Sequence, residues 1–374
     1  MKRKNQKWQM RIYFMKYIFI AIAFILFTTK NSAQEVQSIK YNYLSVFWNA
    51  GHANASVISQ DGGYSYKVKG GSLWWFGDTF KGRRDSTGQP HFNGAVSCSV
   101  AMLGEENKNY PPKLKFLVNK DSTASQAIEF IQNESWDHNR IWPLAGIYVN
   151  GKSYIFYSLI EITGKGEWDF KSAGSGLAFS AKPLAVHKRI VKNEDWRYPV
   201  SPTAIIADHE WLYLFEVEKR GNKNGIWLAR VNGKDIENKQ AYEFYCGGEE
   251  LFNKDKGKQI IFMENIYGQV SVAWNEYLNK FILVSSSDFF NSRDIRFYTA
   301  DKPYGPWTKL KQKITMPDTL QGKKVNLVYC SFLHPELFRE KGRIMNLTFS
   351  VNLEKSGFDA NNEMIEIELN STEK

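Results

Sequence analysis

Apolar and polar positions along this chain alternate in short bursts that repeat. Five segments share one pattern, a polar or glycine turn leading into an aromatic-rich run: GGSLWWFGDT from Gly70, GKSYIFYSLIEI from Gly151, HEWLYLFEVE from His209, NKFILVSSSDF from Asn279 and GRIMNLTFSVN from Gly342. Each is preceded, across its turn, by another short run: DGGYSYKV, WPLAGIYV, SPTAIIA, GQVSVAW and CSFLHPEL. Aromatic and β-branched residues bounded by Gly, Asn and Asp turns predict antiparallel hairpins. Helical periodicity is confined to one short candidate at Ser125–Gln132.

The repeats recur at intervals of about 60 to 80 residues, the spacing of propeller blades lengthened by loops. Radial repetition leaves only short, protected sheet edges. The expected fold is therefore all-β, a five-bladed β-propeller, with a β-sandwich of irregular strand pairs as the alternative. No Pro/Ser/Gly-rich linker divides residues 34–374, so they are expected to form a single domain.

The first 33 residues read differently. They carry seven basic residues and no acidic one around the apolar run Tyr17–Phe27, and NSAQ offers Ala33 for cleavage. That is a secretory signal, with an uncleaved anchor as the alternative. Eleven apolar residues fall short of the ~20 that span a bilayer. The mature part is expected in the periplasm or outside the cell, without a stable membrane anchor.

Removing that segment changes the charge balance. The formal net charge is +10, but 42 basic residues then face 39 acidic ones. No clustered basic face for nucleic acid is left. Cys98, Cys246 and Cys330 are odd in number and widely spaced, so a disulfide framework is not expected. Cys98 and Cys330 sit in apolar runs, where a thiol packs as a small hydrophobe.

Chemistry concentrates in the first hairpin. Counting outward from the turn at Lys69–Gly71 sets Asp61 nearly opposite Asp78, and facing positions hold Cβ atoms ~4.5–5.5 Å apart. Two carboxylates so close have their pKa values pushed apart, one staying protonated and one ionised. Glycoside cleavage uses such a pair, an acid for the leaving oxygen and an anion for the anomeric centre. Asp before Gly-Gly is also ordinary turn chemistry, and Gly-Asp-Thr can simply cap a loop.

If the repeat holds, Glu161, Glu216 and Asp288 end the corresponding strands of other blades and share the rim with Asp78. Trp142 is a candidate stacking platform for a sugar ring. His334, Gln269 and Tyr64 are candidate donors or acceptors for sugar hydroxyls, His334 being equally readable as a buried, satisfied imidazole. Nucleophile elbows, zinc helices, phosphate loops and dinucleotide fingerprints are absent from the sequence. The six His show no pairing with a Ser or Cys nucleophile. No cofactor is implied; a cation in a propeller channel is left open.

Taken in order, DGGYS, LWWFGDTF, WPLAGIYVNGKSYIF, IWLARV, GQVSVAWN, TADKPYGPW and YCSFLHPEL give the chain, from about Val46 to about Asn352, a pattern that resembles the exported bacterial domain-of-unknown-function family 4185, related to glycoside hydrolase family 183. The resemblance implies a five-bladed propeller similar to those of arabinan-degrading hydrolases, some relatives being endo-acting D-arabinofuranosidases. It also implies that Asp61 and Asp78 are the catalytic carboxylates. The stretch NAGHANASVISQ ahead of Asp61 is more polar and less glycine-rich than the family pattern. The expected function is an exported glycoside hydrolase on a furanose-containing, arabinan-like polysaccharide or oligosaccharide, working as a monomer. A non-catalytic glycan-binding propeller and a protein-interaction scaffold are the other readings.

Overall fold

The computed structural model describes residues 35–46, 55–87, 89–105, 112–166, 168–286, 292–320, 322–354 and 360–372. Residues 1–33, read above as an export signal, lie outside them. The chain forms five antiparallel sheets, each one blade. Their innermost strands, Val57–Val68, Asn139–Val149, Ala204–Asp208, Val270–Asn275 and Lys323–Leu333, touch one another in sequence and close a ring around a central axis.

The second strand of each blade follows across a short turn in the first four blades and across the longer connection His334–Arg343, with its two 3-10 turns, in the fifth: Gly71–Arg84, Lys152–Ile162, Trp211–Arg220, Lys280–Ser286 and Ile344–Leu353. These are the five aromatic-rich runs of the sequence. They read as near-continuous apolar stretches because a blade's inner strands are covered on both faces. In the first blade Trp74 and Phe76 pack toward the fifth blade with Phe116 and Met364, while Trp75 packs toward the second with Ile141 and Tyr157. Both tryptophans are fully buried, and truncating either to Ala would cost ~3–5 kcal/mol.

Closure of the ring uses both ends of the described chain. Glu35–Val46 pairs antiparallel with Ala360–Thr372 and becomes the outermost strand of the fifth blade. The hydroxyl of Tyr43, on the N-terminal strand, donates to the carboxylate of Glu363 on its partner. Burial pushes Glu363 up to about 7.

Ser125–Gln132 is not helical. Its backbone is already committed to strands on either side: Ala127 N–H donates to Cys98 O at 3.1 Å, and His187 N–H donates to Ala127 O at 2.8 Å. All three cysteines are free, Cys98 and Cys330 buried. Among the described residues no helix is long and apolar enough to cross a membrane.

Candidate functional site

The first hairpin is regular near its turn and irregular where the acids sit. Tyr64 pairs with Trp75 and Gly62 with Phe76, but Gln60 pairs with Thr79. One residue, Asp61, is thus opposed by two, Gly77 and Asp78, which is a β-bulge. Side chains alternate across a strand, and the extra residue reverses that alternation. Asp78 is turned toward the second blade, on the side of Trp75, instead of following Trp74 and Phe76 toward the fifth.

There it meets two groups from one strand of the second blade. The indole Nε1–H of Trp142 donates to Asp78 Oδ1 at 3.0 Å, and Arg140 Nε stands 4.0 Å from the same oxygen. Asp78 keeps about a quarter of its side chain exposed. Burial still raises its pKa to about 6, with Trp142 and Arg140 opposing the rise.

Asp61 has a different setting. It lies over Gly77, where an added Cβ would come within 2.3 Å of Asp61 Oδ1, so glycine leaves the room its carboxylate occupies. The Tyr329 hydroxyl, from the inner strand of the fifth blade, donates to Asp61 Oδ2 at 3.1 Å and also lies 3.2 Å from Asn352 Oδ1. Burial first, then the nearby charge of Asp78, pushes Asp61 up to about 7, against the bond from Tyr329. The two acids are therefore unequal: a guanidinium and an N–H favour the anion at Asp78, whereas a single neutral hydroxyl faces Asp61.

Asp61 opens into a cavity of about 290 Å³ at this end of the axis. Its walls are aromatic: Trp75, Trp142, Trp168, Phe170 and Tyr329, with polar contributions from Gln269 and Asn352. Trp142 and Phe170 meet edge-to-face at 5.0 Å. Gln269 Oε1 is buried and accepts from no described residue, which leaves it available to a ligand's hydroxyl. Tyr64 lines this cavity and also a second one of about 500 Å³ toward the opposite face. Its ring stands edge-to-face on Phe332 at 5.5 Å, and its hydroxyl donates to Gly146 O at 3.3 Å.

Asp61, Asp78, Tyr64, Trp142 and Gln269 are thus brought together, and other candidates are not. Glu161 is exposed and ion-paired to Lys171 at 3.2 Å. Glu216 is buried and held by Arg220 at 3.1 Å, away from the cavity lining. His334 is fully buried between the first and fifth blades. It stacks on Trp74 at 4.0 Å and is bonded to Ser65 and Thr348, each at 2.7 Å. Burial lowers its pKa to about 3, so it is a neutral packing element. Asp288 lies outside the described residues. Among the described residues no group of three or more His, Cys, Asp and Glu could hold a metal ion.

Arg140, Tyr329, Trp168 and Phe170 were not singled out by the sequence. Arg140 had a usable signal, since it stands two residues before Trp142 and so shares its side of the strand. Tyr329 had none. It precedes Cys330, which takes φ +51° within a register shift between Tyr329 and Phe332.

A family model described as Domain of unknown function (DUF5005) matches residues 45–366. The motifs had suggested family 4185; the matching model is that of DUF5005. No curated protein matches the chain. Among solved structures, a Bacteroides ovatus protein whose hydrolase assignment is provisional is 16% identical, with 91% of this chain and 93% of that chain covered and a TM-score of 0.64. An exo-β-1,3-galactanase from Phanerochaete chrysosporium is 12% identical, with 87% of this chain and 64% of that chain covered and a TM-score of 0.50. At such identities the likeness is one of fold, and that fold is the five-bladed propeller.

Proposed function

The chain belongs to the DUF5005 family, and from the geometry of its first blade we propose that it is a glycoside hydrolase with Asp61 and Asp78 as its catalytic carboxylates. One observation carries this reading: of two adjacent acids with raised and unequal proton affinities, Asp61 lines an aromatic-walled cavity and is favoured as the acid, while Asp78, bonded to Trp142 of that wall, is favoured as the anion. Acid and nucleophile separated in this way match the requirement of glycoside cleavage. The frame is also one on which a galactanase is built.

In this mechanism Asp61 gives its proton to the glycosidic oxygen as the bond from C1 to that oxygen breaks. Asp78 attacks C1 and forms a glycosyl ester. Asp61, now ionised, takes a proton from a water that attacks C1, and Asp78 leaves as the carboxylate. Trp142 and Arg140 keep Asp78 ionised and aimed, and Tyr329 orients Asp61. Aromatic walls suit the apolar faces of a sugar ring, while Gln269 Oε1 offers an acceptor for a hydroxyl.

The finer reading places the protein outside the cytoplasm and gives it a furanose-containing, arabinan-like glycan. Residues 1–33 support export by their basic and apolar pattern. The ordered motifs that resemble family 4185, related to glycoside hydrolase family 183, support the sugar. Fold alone selects no substrate.

The test is product release from arabinans, arabinogalactans and mannans by the wild type, Asp61→Asn and Asp78→Asn. Loss of turnover by about 10²–10⁴-fold in either variant, with glycan binding retained, supports the enzyme. Binding without turnover by any form would leave a lectin.

A further inference from the structure

The strand that carries Asp78 does not end at the cavity. Gly71–Phe76 pairs with Ser99–Gly104 inside the first blade, but from Thr79 onward the strand pairs instead with Pro90–Val96. Beyond the bulge it stays paired on its other side with Val57–Gln60 as far as Lys81, and only Gly82–Arg84 continues with Pro90–Phe92 as a two-stranded arm. The root of the arm is anchored along one side. Thr79 Oγ1 is bonded to Ser99 Oγ at 2.8 Å, Lys81 Nζ donates to Thr123 Oγ1 at 3.4 Å, and Gly82 N–H donates to Ser56 O at 2.6 Å. Asp85 ties its tip by accepting from Thr87 N–H at 2.9 Å and Gln89 N–H at 3.1 Å.

Thr79 and Lys81 face inward, so Phe80 falls on the other side, the side of Asp78. Two residues span about 7 Å of strand, so its ring begins roughly one sugar unit from the carboxylate. Phe92 joins it from the partner strand, with ring centroids 6.3 Å apart. Phe92 is 54% exposed. An apolar ring pair at the root of an anchored arm, continuous with the proposed reaction centre, is suited to the apolar face of a saccharide.

We propose that Phe80 and Phe92 form a platform for the sugar units adjoining the scissile bond, so that the hairpin Thr79–Val96 extends the site along a glycan chain. This rests on the hydrolase reading. The occupant is the substrate chain itself, because the platform begins on the strand that bears Asp78.

The experiment compares wild type, Phe92→Ala and Phe92→Tyr on a polysaccharide and on an aryl monoglycoside of the same sugar. Gel retardation by that polysaccharide is measured in parallel with Asp61→Asn and the double variant Asp61→Asn/Phe92→Ala. Expected for Phe92→Ala is a KM about three- to tenfold higher on the polymer, with kcat and monoglycoside kinetics unchanged. Retardation should weaken to match, and Phe92→Tyr should restore both. Equal polymer kinetics and equal retardation in wild type and Phe92→Ala would overturn the platform, as would an equal loss on short and long substrates. If the wild type binds the polymer but cleaves nothing, the hydrolase reading fails and retardation alone judges the arm. Neither binding nor cleavage by any form would remove both.

Discussion

The indole N–H of Trp142 reaches across the boundary between the first and second blades to Oδ1 of Asp78, at 3.0 Å. It supports the carboxylate in its ionised form, and burial works against it. In the proposed mechanism activity needs Asp78 ionised and Asp61 protonated, so the pH profile should be a bell with limbs near 6 and 7. Trp142→Phe keeps a ring but removes the donor. The acid limb should then rise by about one pH unit toward the alkaline limb, narrowing the bell and lowering its maximum. Rates measured from pH 4 to 9 check this; an unmoved acid limb would separate Trp142 from the ionisation that matters.

Gly77→Ala should damage catalysis far more than folding. The new methyl would lie 2.3 Å from Asp61 Oδ1, and the movable partner is the carboxylate. Displacement of a reacting group by about 1 Å can cost ~10²-fold in rate. Turnover should fall on that scale while the melting temperature shifts little. A fully active Gly77→Ala protein would show that Asp61 has no need of its present position.

Asp61→Asn should trade activity for stability, in a pH-dependent way. The folded state raises this carboxyl from an ordinary 3.8 to about 7, so it binds the proton more tightly than the unfolded chain does. The contribution to stability is full below about 4 and is lost as pH rises through about 7. Asn stays neutral throughout. Its melting temperature should match the wild type near pH 4 and exceed it at pH 8, as thermal scans at both values would report. The opposite order would mean that Asp61 is not desolvated in the folded protein.

Retention of anomeric configuration is expected. Gly77 and Asp78 both oppose Asp61 in the bulge, and carboxyl groups on neighbouring cross-strand positions fit the ~5–5.5 Å of retaining enzymes better than the ~6.5–9.5 Å of inverting ones. Proton NMR of the first product formed distinguishes the two anomers. An inverted product would require a water between the acids and would recast Asp78 as a base.

Much of this architecture was legible in the sequence. The five aromatic-rich runs are the second strands of the five blades, because a strand covered on both faces needs apolar residues at consecutive positions, as in LWWF. Asp61 and Asp78 were recognisable as neighbours because hairpin register follows from the turn. What could not be read was anything that breaks periodicity. The bulge that turns Asp78 toward Trp142, and the positive φ at Cys330 that accompanies the placement of Tyr329, follow no period of two. His334 shows the converse: its sequence setting does not distinguish a ligand contact from a ring stacked on Trp74. Contacts joining distant segments, such as Tyr43 with Glu363, leave no local mark at all.

The pairing of Glu35–Val46 with Ala360–Thr372 also imposes an order in time. On a ribosome the first of these strands emerges more than three hundred residues before its partner, so until Ala360–Thr372 is made its edge has nothing to pair with. The other blades can each assemble from contiguous chain, while the last must wait for two segments far apart in sequence. If the chain is exported as proposed, threading from its leading end would carry it across with the ring unlatched, and the latch would engage only on the far side.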